Sequence, residues 1–135
     1  MLETSLSLGF TDVWERFIIH MPYEALFERF EALGRDGERR EVTFLRAGFL
    51  TAGDQPELYF FRVAGENEEV AVGISGSSLK RFERGRKALS REAKIDLTGL
   101  LLKKRIEVGL PLESHNLFLR DEELAELAGE LRLPV

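Results

Sequence analysis

The sequence contains no cysteine, only two histidines and a single tryptophan among 135 residues. Without cysteine the chain can form no disulfide, thiolate metal site or thiol nucleophile, and this composition suits a reducing compartment. No apolar run approaches the roughly 18 residues that a membrane-spanning helix needs, and the first residues lack the basic segment of a secretory leader. These absences predict a cytoplasmic protein with no membrane association.

Recognisable catalytic patterns are also missing from the sequence. His20 lies at the edge of an apolar helix pattern and His115 in a loop, and neither HExxH nor GxSxG occurs. Glu24, Glu28 and Glu31 fall on a polar face, where a carboxylate lacks the burial that tunes a pKa for acid–base chemistry. We therefore expect a protein that is not an enzyme and holds neither metal nor cofactor.

Apolar residues make up 44% of the chain and include ten phenylalanines, enough for the core of one domain over residues 1–135. The net charge is -5, but it is divided unevenly along the chain. The segment 80–105 has ten basic and three acidic residues, a net of +7, so the rest of the chain sums to -12. Any attraction to a polyanion would therefore be local to this segment.

The N-terminal quarter of the chain shows the periodicity of two helices. Thr11 or Asp12 can cap the first helix, and Glu15 follows Asp12 by three residues, in the spacing of a capping box. Pro22 is tolerated in a first helical turn, so we expect the second helix to begin there and to end near Leu33. Gly34 would then be its left-handed cap.

The middle of the chain is rich in β-branched and aromatic residues. Residues 41–50, 57–63 and 68–74 are predicted to be three consecutive antiparallel strands, joined by turns with Gly, Asp, Pro or Asn. A fourth short strand is expected at 116–119, and Asp121 is expected to cap a last acidic helix. The fold class is therefore α+β, an antiparallel sheet of three to four strands packed against helices.

Residues 92–108 form the most apolar helix candidate, with Ser90 as a suitable N-cap and with Gly109 and Pro111 at its end. A pair of strands is a competing interpretation. The predicted helix has two apolar faces about 170° apart, and Ile95, Leu102 and Ile106 make the second of them. Such a helix either is sandwiched within its own domain or offers its second face to another subunit. These three residues are therefore interface candidates.

A basic stripe formed by Lys80, Arg84, Lys87 and Arg91 is predicted on one side of the preceding helix. Gly85 makes an unbroken helix doubtful, because glycine costs about 1 kcal/mol in a helix interior. The stripe is a candidate for contact with a phosphate backbone. Solvated surface is one alternative, and another is pairing with acidic residues, either Glu24, Glu28 and Glu31 or those of 121–123.

Four small residues, Ser75, Gly76, Ser77 and Ser78, lie between a predicted strand and a predicted helix. Free amide groups at a helix N-terminus bind anions, so these residues are candidates for holding a phosphorylated small ligand. The stretch matches neither GxGxxG nor the Walker pattern, and a serine N-cap is the favoured interpretation.

Two segments carry a family resemblance: Phe60-Phe61-Arg62-Val63-Ala64-Gly65 and Val70-Ala71-Val72-Gly73-Ile74-Ser75-Gly76-Ser77-Ser78-Leu79, followed by Phe82. Over about residues 58–82 the chain resembles the YrdB-like family of short bacterial proteins. There a strand and a glycine turn lead to a second strand that ends in Ile-Ser-Gly-x-Ser-Leu. The resemblance implies a small α+β protein of bacterial origin, and it implies no activity and no functional residues.

Three functions follow from these features, in order of preference. The first is a non-enzymatic interaction module that self-associates or binds a protein partner, as the two-faced helix suggests. The alternative is binding of nucleic acid or another polyanion through the basic segment 80–105. The third is binding of a phosphorylated small ligand at Ser75–Ser78.

Overall fold

The computed structural model describes residues 25–49 and 56–133. Five strands, three α-helices and one short 3-10 turn follow one another in these ranges. The strands are β1 (Arg29–Leu33), β2 (Arg39–Phe49), β3 (Glu57–Val63), β4 (Val70–Ile74) and β5 (Phe118–Leu119). The helices are α1 (Gly76–Glu83), α2 (Arg91–Val108) and α3 (Asp121–Glu130), and the 3-10 turn is Ser114–Asn116.

All five strands belong to one sheet in the order β1-β2-β3-β4-β5. The first four are antiparallel neighbours, so the predicted meander is confirmed, while β5 pairs with β4 in parallel. The α+β class is thus confirmed, but the expected three to four antiparallel strands are five strands in a mixed sheet. The parallel pair arises because α1 and α2 lie between β4 and β5 and carry the chain back before β5 begins.

The predicted second helix, from Pro22 to Leu33, is wrong over its last turns, because residues 29–33 form strand β1. Its supposed apolar face is not buried as a unit: Leu33 is half exposed, whereas Ala32 is fully buried. β1 pairs with β2 along its whole length, and the backbone bonds of that pairing outweigh the local helical periodicity. The predicted first helix, with Asp12 and Glu15, lies outside the described residues.

One face of the sheet carries the core. Alternate residues of the strands point to it, and β3 contributes Tyr59, Phe61 and Val63, all nearly inaccessible to solvent. The rings of Phe44 and Phe61 meet edge to face with centroids 5.5 Å apart. Leu45 is an extra residue in β2, where the register with β3 shifts.

Helix α2 confirms the predicted helix and removes the competing strand interpretation. Ser90 caps its start by accepting a hydrogen bond from the Ala93 amide. Gly109 closes its end in the left-handed conformation at φ 77°, and the amide of Leu110 reaches back to the Arg105 carbonyl. The helix contacts β1, β4 and α3, so it is sandwiched within the domain.

Helices α1 and α3 lie against each other and complete the helical layer. α1 ends at Glu83, before Gly85, whose φ of 73° confirms the suspected break between α1 and α2. Asp121 is the first helical residue of α3 rather than its cap, because Arg120 holds the cap position with no side-chain bond. Within residues 25–49 and 56–133, no helix has the length and apolar character required to cross a bilayer.

Candidate functional site

The four residues of the basic stripe do not share one helix face. Lys80 lies on α1, Arg84 at its end, Lys87 in the connection and Arg91 at the start of α2. The Arg91 guanidinium lies 5.3 Å from the centre of the Phe44 ring, over the edge of the core. The break at Gly85 therefore separates the two halves of the predicted polyanion site.

Many other cations of the segment 80–105 have acidic partners within the chain. The ion pairs are Arg81–Asp121 (2.8 Å), Lys94–Glu57 (3.2 Å), Lys104–Glu130 (3.2 Å), Arg105–Glu123 (2.7 Å) and Lys103–Glu107. Two of the acids belong to the segment 121–123, which was one of the predicted partners. Glu28 and Glu31, the other described candidates, are exposed and lie before and within β1. Arg91 also lies 3.9 Å from Glu92, so pairing within the chain involves at least six of the ten basic residues.

The serine segment is capped by its own side chains. The Ser75 hydroxyl accepts a hydrogen bond from the Ser78 amide at 3.3 Å, so the favoured N-cap interpretation is confirmed. Ser78 is 2% exposed, and its hydroxyl donates to the Asp121 carboxylate. The Arg81 guanidinium also donates to this carboxylate, and together the two donors lower the pKa of Asp121. A carboxylate of the chain itself therefore already engages the Ser78 hydroxyl and the Arg81 guanidinium beside the predicted phosphate site.

The interface predicted at Ile95, Leu102 and Ile106 is wrong. Their side chains are 0%, 0% and 6% exposed within a single chain, because α2 contacts the sheet and α3 at once. The sequence shows correctly that the helix has two apolar faces, but it does not show which part of the molecule covers each face. No self-association surface remains on these three residues.

A partly buried polar cluster, not found from the sequence, lies where α2 begins. The Tyr59 hydroxyl donates to Glu57 at 2.9 Å, and the Lys94 ammonium lies 3.2 Å from the same carboxylate. Burial, reinforced by the Glu57 charge, raises the pKa of Tyr59 well above its usual range. A phenol held neutral in this way supports packing rather than proton transfer at ordinary pH.

Asp96 is a second buried polar group that the sequence interpretation passed over. It is fully buried on α2, and one oxygen accepts from the amides of both Leu26 and Phe27 at 2.8 Å. This carboxylate fixes the approach of the chain to β1. Gly99, three residues further along α2, permits the close approach of Phe27 to the helix, because a Cβ added at Gly99 would stand 2.5 Å from the Phe27 Cβ.

At the opposite end of α2, an open cleft of about 320 Å³ lies between two turns of the chain. We call it the Gly109 cleft. Its apolar wall is the end of α2 and the loop after it. Its charged wall is the β1–β2 turn with one residue of β2 and one of the β3–β4 turn. The lining residues are Ile106, Gly109, Leu110, Pro111 and Leu112 on the first wall and Gly34, Arg35, Asp36, Arg40 and Glu66 on the second.

The two walls touch where Arg35 crosses Gly109. A Cβ built on Gly109 would lie 3.3 Å from both the Cβ and the Cδ of Arg35, so the arginine stem rests on the glycine backbone. The sequence marks both turns, through Asp36-Gly37 and through Gly109 with Pro111. Nothing in the sequence indicates that the two turns meet, so the cleft could not be predicted.

Histidine and metal chemistry find no geometric support in the described residues. His115 is exposed in the 3-10 turn, 3.7 Å from Glu113, while His20 lies outside the described residues. Across residues 25–49 and 56–133 no three His, Cys, Asp or Glu side chains are grouped as metal ligands would be.

Comparisons of the chain with protein-family models, with curated proteins and with solved structures give no match. The resemblance to the YrdB-like family over residues 58–82 therefore stays a prediction, and the function must be inferred from the surface of the molecule.

Proposed function

We propose that this protein is a non-enzymatic interaction module that binds another protein through the Gly109 cleft. The observation that supports this proposal is the exposure of large apolar side chains beside the cleft. Val108 is 52% exposed and Leu110 is 42% exposed, on either side of Gly109. Elsewhere in the described ranges only Leu26 and Leu33 are comparably exposed.

Apolar exposure beside a cavity favours a protein partner over a small molecule. A small ligand is held mainly inside a pocket, and side chains outside the rim contribute little to its binding. A protein surface covers both the pocket and the apolar side chains around it, and removes their area from water. Val108 does not line the cleft. Only a partner that extends beyond the cleft would cover its exposed side chain.

The polyanion alternative has less support than the sequence suggested. Five of the ten cations in the segment 80–105 lie in ion pairs with acids outside or at the end of the segment. A phosphate backbone would have to compete with these carboxylates for every such cation. The third function, a phosphorylated ligand at Ser75–Ser78, would have to displace Asp121 from Ser78 and Arg81.

Site-specific photo-crosslinking in cells of the source organism tests the proposal. A photoreactive amino acid replaces Val108 in one variant and Leu26 in a control variant. Leu26 is 70% exposed, and its amide donates a hydrogen bond to Asp96. Asp96 precedes Gly109 by thirteen residues, or roughly 20 Å along the helix. Leu26 therefore lies far from the cleft. We expect a defined crosslinked protein from position 108 and none of the same mass from position 26.

A neutral substitution then shows whether the cleft is the binding surface. Leu110→Ser removes apolar area without adding charge, and Leu26→Ser is its matched control. The protein identified from the crosslink is purified, and its Kd is measured for both variants. Weakening of about tenfold by Leu110→Ser alone, which is about 1.4 kcal/mol, supports the proposal. Equal Kd values for parent and Leu110→Ser would refute it.

A further inference from the structure

The charges that line the Gly109 cleft are not equally engaged. The Arg40 guanidinium lies 3.2 Å from the Glu66 carboxylate, and Asp36 accepts a hydrogen bond from the Glu38 amide inside its own turn. Arg35 has neither an ion-pair nor a hydrogen-bond partner in residues 25–49 and 56–133. Among the described residues that line the cleft, Arg35 is therefore the cation with no acid of the chain to compete with a ligand.

The position of Arg35 also joins the two walls. Because its stem rests on Gly109, the Arg35 side chain starts at the boundary between the apolar wall and the charged wall. An arginine fixed at a turn and supported along its stem presents its planar donors with less loss of rotamer freedom than a free side chain. Carboxylates match this fork of donors in two parallel hydrogen bonds.

The apolar wall sets the second requirement on a ligand. Ile106 is 6% exposed, whereas Leu110 is 42% exposed. Both belong to the end of α2 and the loop after it, whereas Arg40 and Glu66 come from β2 and the β3–β4 turn. A ligand that satisfies both walls must carry an apolar group close to an anionic one.

We infer that the partner presents an internal acidic segment, in which an apolar side chain packs on Leu110 and an Asp or Glu carboxylate binds Arg35. This inference rests on the proposed function and names the chemistry of the bound partner. An internal segment is favoured over a chain terminus because Val108 and Leu110 extend the apolar surface beyond the cleft. A segment that continues past the cleft covers this surface, whereas a chain that ends on Arg35 leaves it exposed.

A synthetic peptide array tests the inference with the full-length protein. Each twelve-residue peptide is acetylated and amidated, and places one Leu or Phe one to four positions from one Glu in a Gly/Ser background. One matched set replaces Glu with Gln, and another places the apolar residue last with a free C-terminal carboxylate. We expect binding to the internal Glu peptides, at least about tenfold weaker binding to the Gln set, and no preference for the free terminus.

Reversing the charge at position 35 tests whether Arg35 binds the Glu carboxylate of the peptide. A further matched set carries Lys in place of Glu. The Arg35→Glu variant should no longer bind the Glu peptides and should bind these Lys peptides, which a general loss of structure would not produce. Arg84→Glu is the control, since Arg84 is also exposed and far along the chain from the cleft. Identical peptide selection by parent and Arg35→Glu overturns the inference, as does selection of the free terminus or binding weaker than about 1 mM for every peptide.

The two proposals fail in different ways. If Leu110→Ser weakens the crosslinked partner but Arg35→Glu leaves peptide selection unchanged, the protein-binding cleft stands and the acidic partner is wrong. If Leu110→Ser has no effect on that partner, the proposed function itself is wrong, whatever the array shows.

Discussion

The first two turns of α2 carry polar groups that are paired inside the chain, whereas the end of α2 adjoins an exposed charged side chain. Lys94 pairs with Glu57, and the Asp96 carboxylate holds two backbone amides. At the far end, Arg35 crosses Gly109 and has no polar partner among residues 25–49 and 56–133, and Leu110 beside the same cleft is 42% exposed. The start of α2 thus makes polar contacts within the fold, whereas the end of α2 borders an exposed surface.

This difference separates residues that serve stability from residues that are free to serve recognition. A buried polar group must be satisfied within the chain, because leaving it unpaired costs a large part of the free energy of folding. An exposed cation has no such requirement and gains little from an internal partner. We therefore look for stability at the Asp96 end and for binding at the Gly109 end.

The largest effect is expected at Asp96. Asp96→Ala leaves the amides of Leu26 and Phe27 without their acceptor, and should lower the free energy of unfolding by about 3 kcal/mol. Asp96→Asn is the control, because it retains a side-chain oxygen and should cost distinctly less. Urea denaturation followed by circular dichroism measures both. An Asp96→Ala protein as stable as the parent would mean that the start of α2 does not anchor β1.

A smaller loss is expected from Gly99→Ala. Alanine favours a helix by up to about 1 kcal/mol, but its Cβ would stand 2.5 Å from the Phe27 Cβ. Overpacking of this kind costs about 1–3 kcal/mol, so the net change should be a loss of roughly 1–2 kcal/mol. Gly129→Ala in α3 is the matched control, since no atom lies within 4 Å of the added Cβ. It should be neutral or stabilising, and the reverse order of the two variants would contradict the prediction.

Tyr59→Phe should cost about 1 kcal/mol at neutral pH, because the hydrogen bond to Glu57 is lost while Lys94 keeps its partner. The pKa of Tyr59 is raised in the folded state. Its contribution is therefore complete below the unfolded pKa of about 10, and is lost as pH rises above that value. Thermal melts between pH 8 and pH 11 should show a shallower alkaline decline for the variant (about pH 10 marks the onset). If the melting temperatures of the parent and the variant fall in parallel with pH, a group other than Tyr59 causes the alkaline loss of stability.

The smallest effect on stability is expected at the open end. Leu110→Ser should change the free energy of unfolding by about 0.5 kcal/mol or less, as is usual for an exposed position. The same denaturation experiment measures it, beside Leu26→Ser. A loss above about 2 kcal/mol would mean that the end of α2 belongs to the core, and the comparison between the two ends would fail.

Local patterns predict the parts of this fold whose interactions are local. The strands β2, β3 and β4, the caps at Ser75 and Ser90 and the closure of α2 at Gly109 all depend on neighbours in sequence. Alternation, short polar side chains and glycine supply these signals directly.

Long-range contacts decide the parts that were not predicted. Residues 29–33 have helical periodicity, but Asp96, about seventy residues away, holds the chain before them while β2 offers a strand to pair with. Beside Ser75–Ser78, the Ser78 hydroxyl and the Arg81 guanidinium bond the carboxylate of Asp121, forty residues beyond Arg81. The Gly109 cleft likewise joins two turns more than seventy residues apart, and no local pattern indicates their meeting.

The edges of the sheet carry a consequence for how this protein associates. Among the described strands, one edge is β1, five residues long, where Arg29 and Glu31 are paired across to β2, and the other is β5, only two residues long. The charged side chains of β1 and the shortness of β5 give another chain little exposed backbone to extend, which opposes strand-to-strand aggregation. Growth of the sheet from molecule to molecule is thereby discouraged, and contact with other proteins is left to side chains.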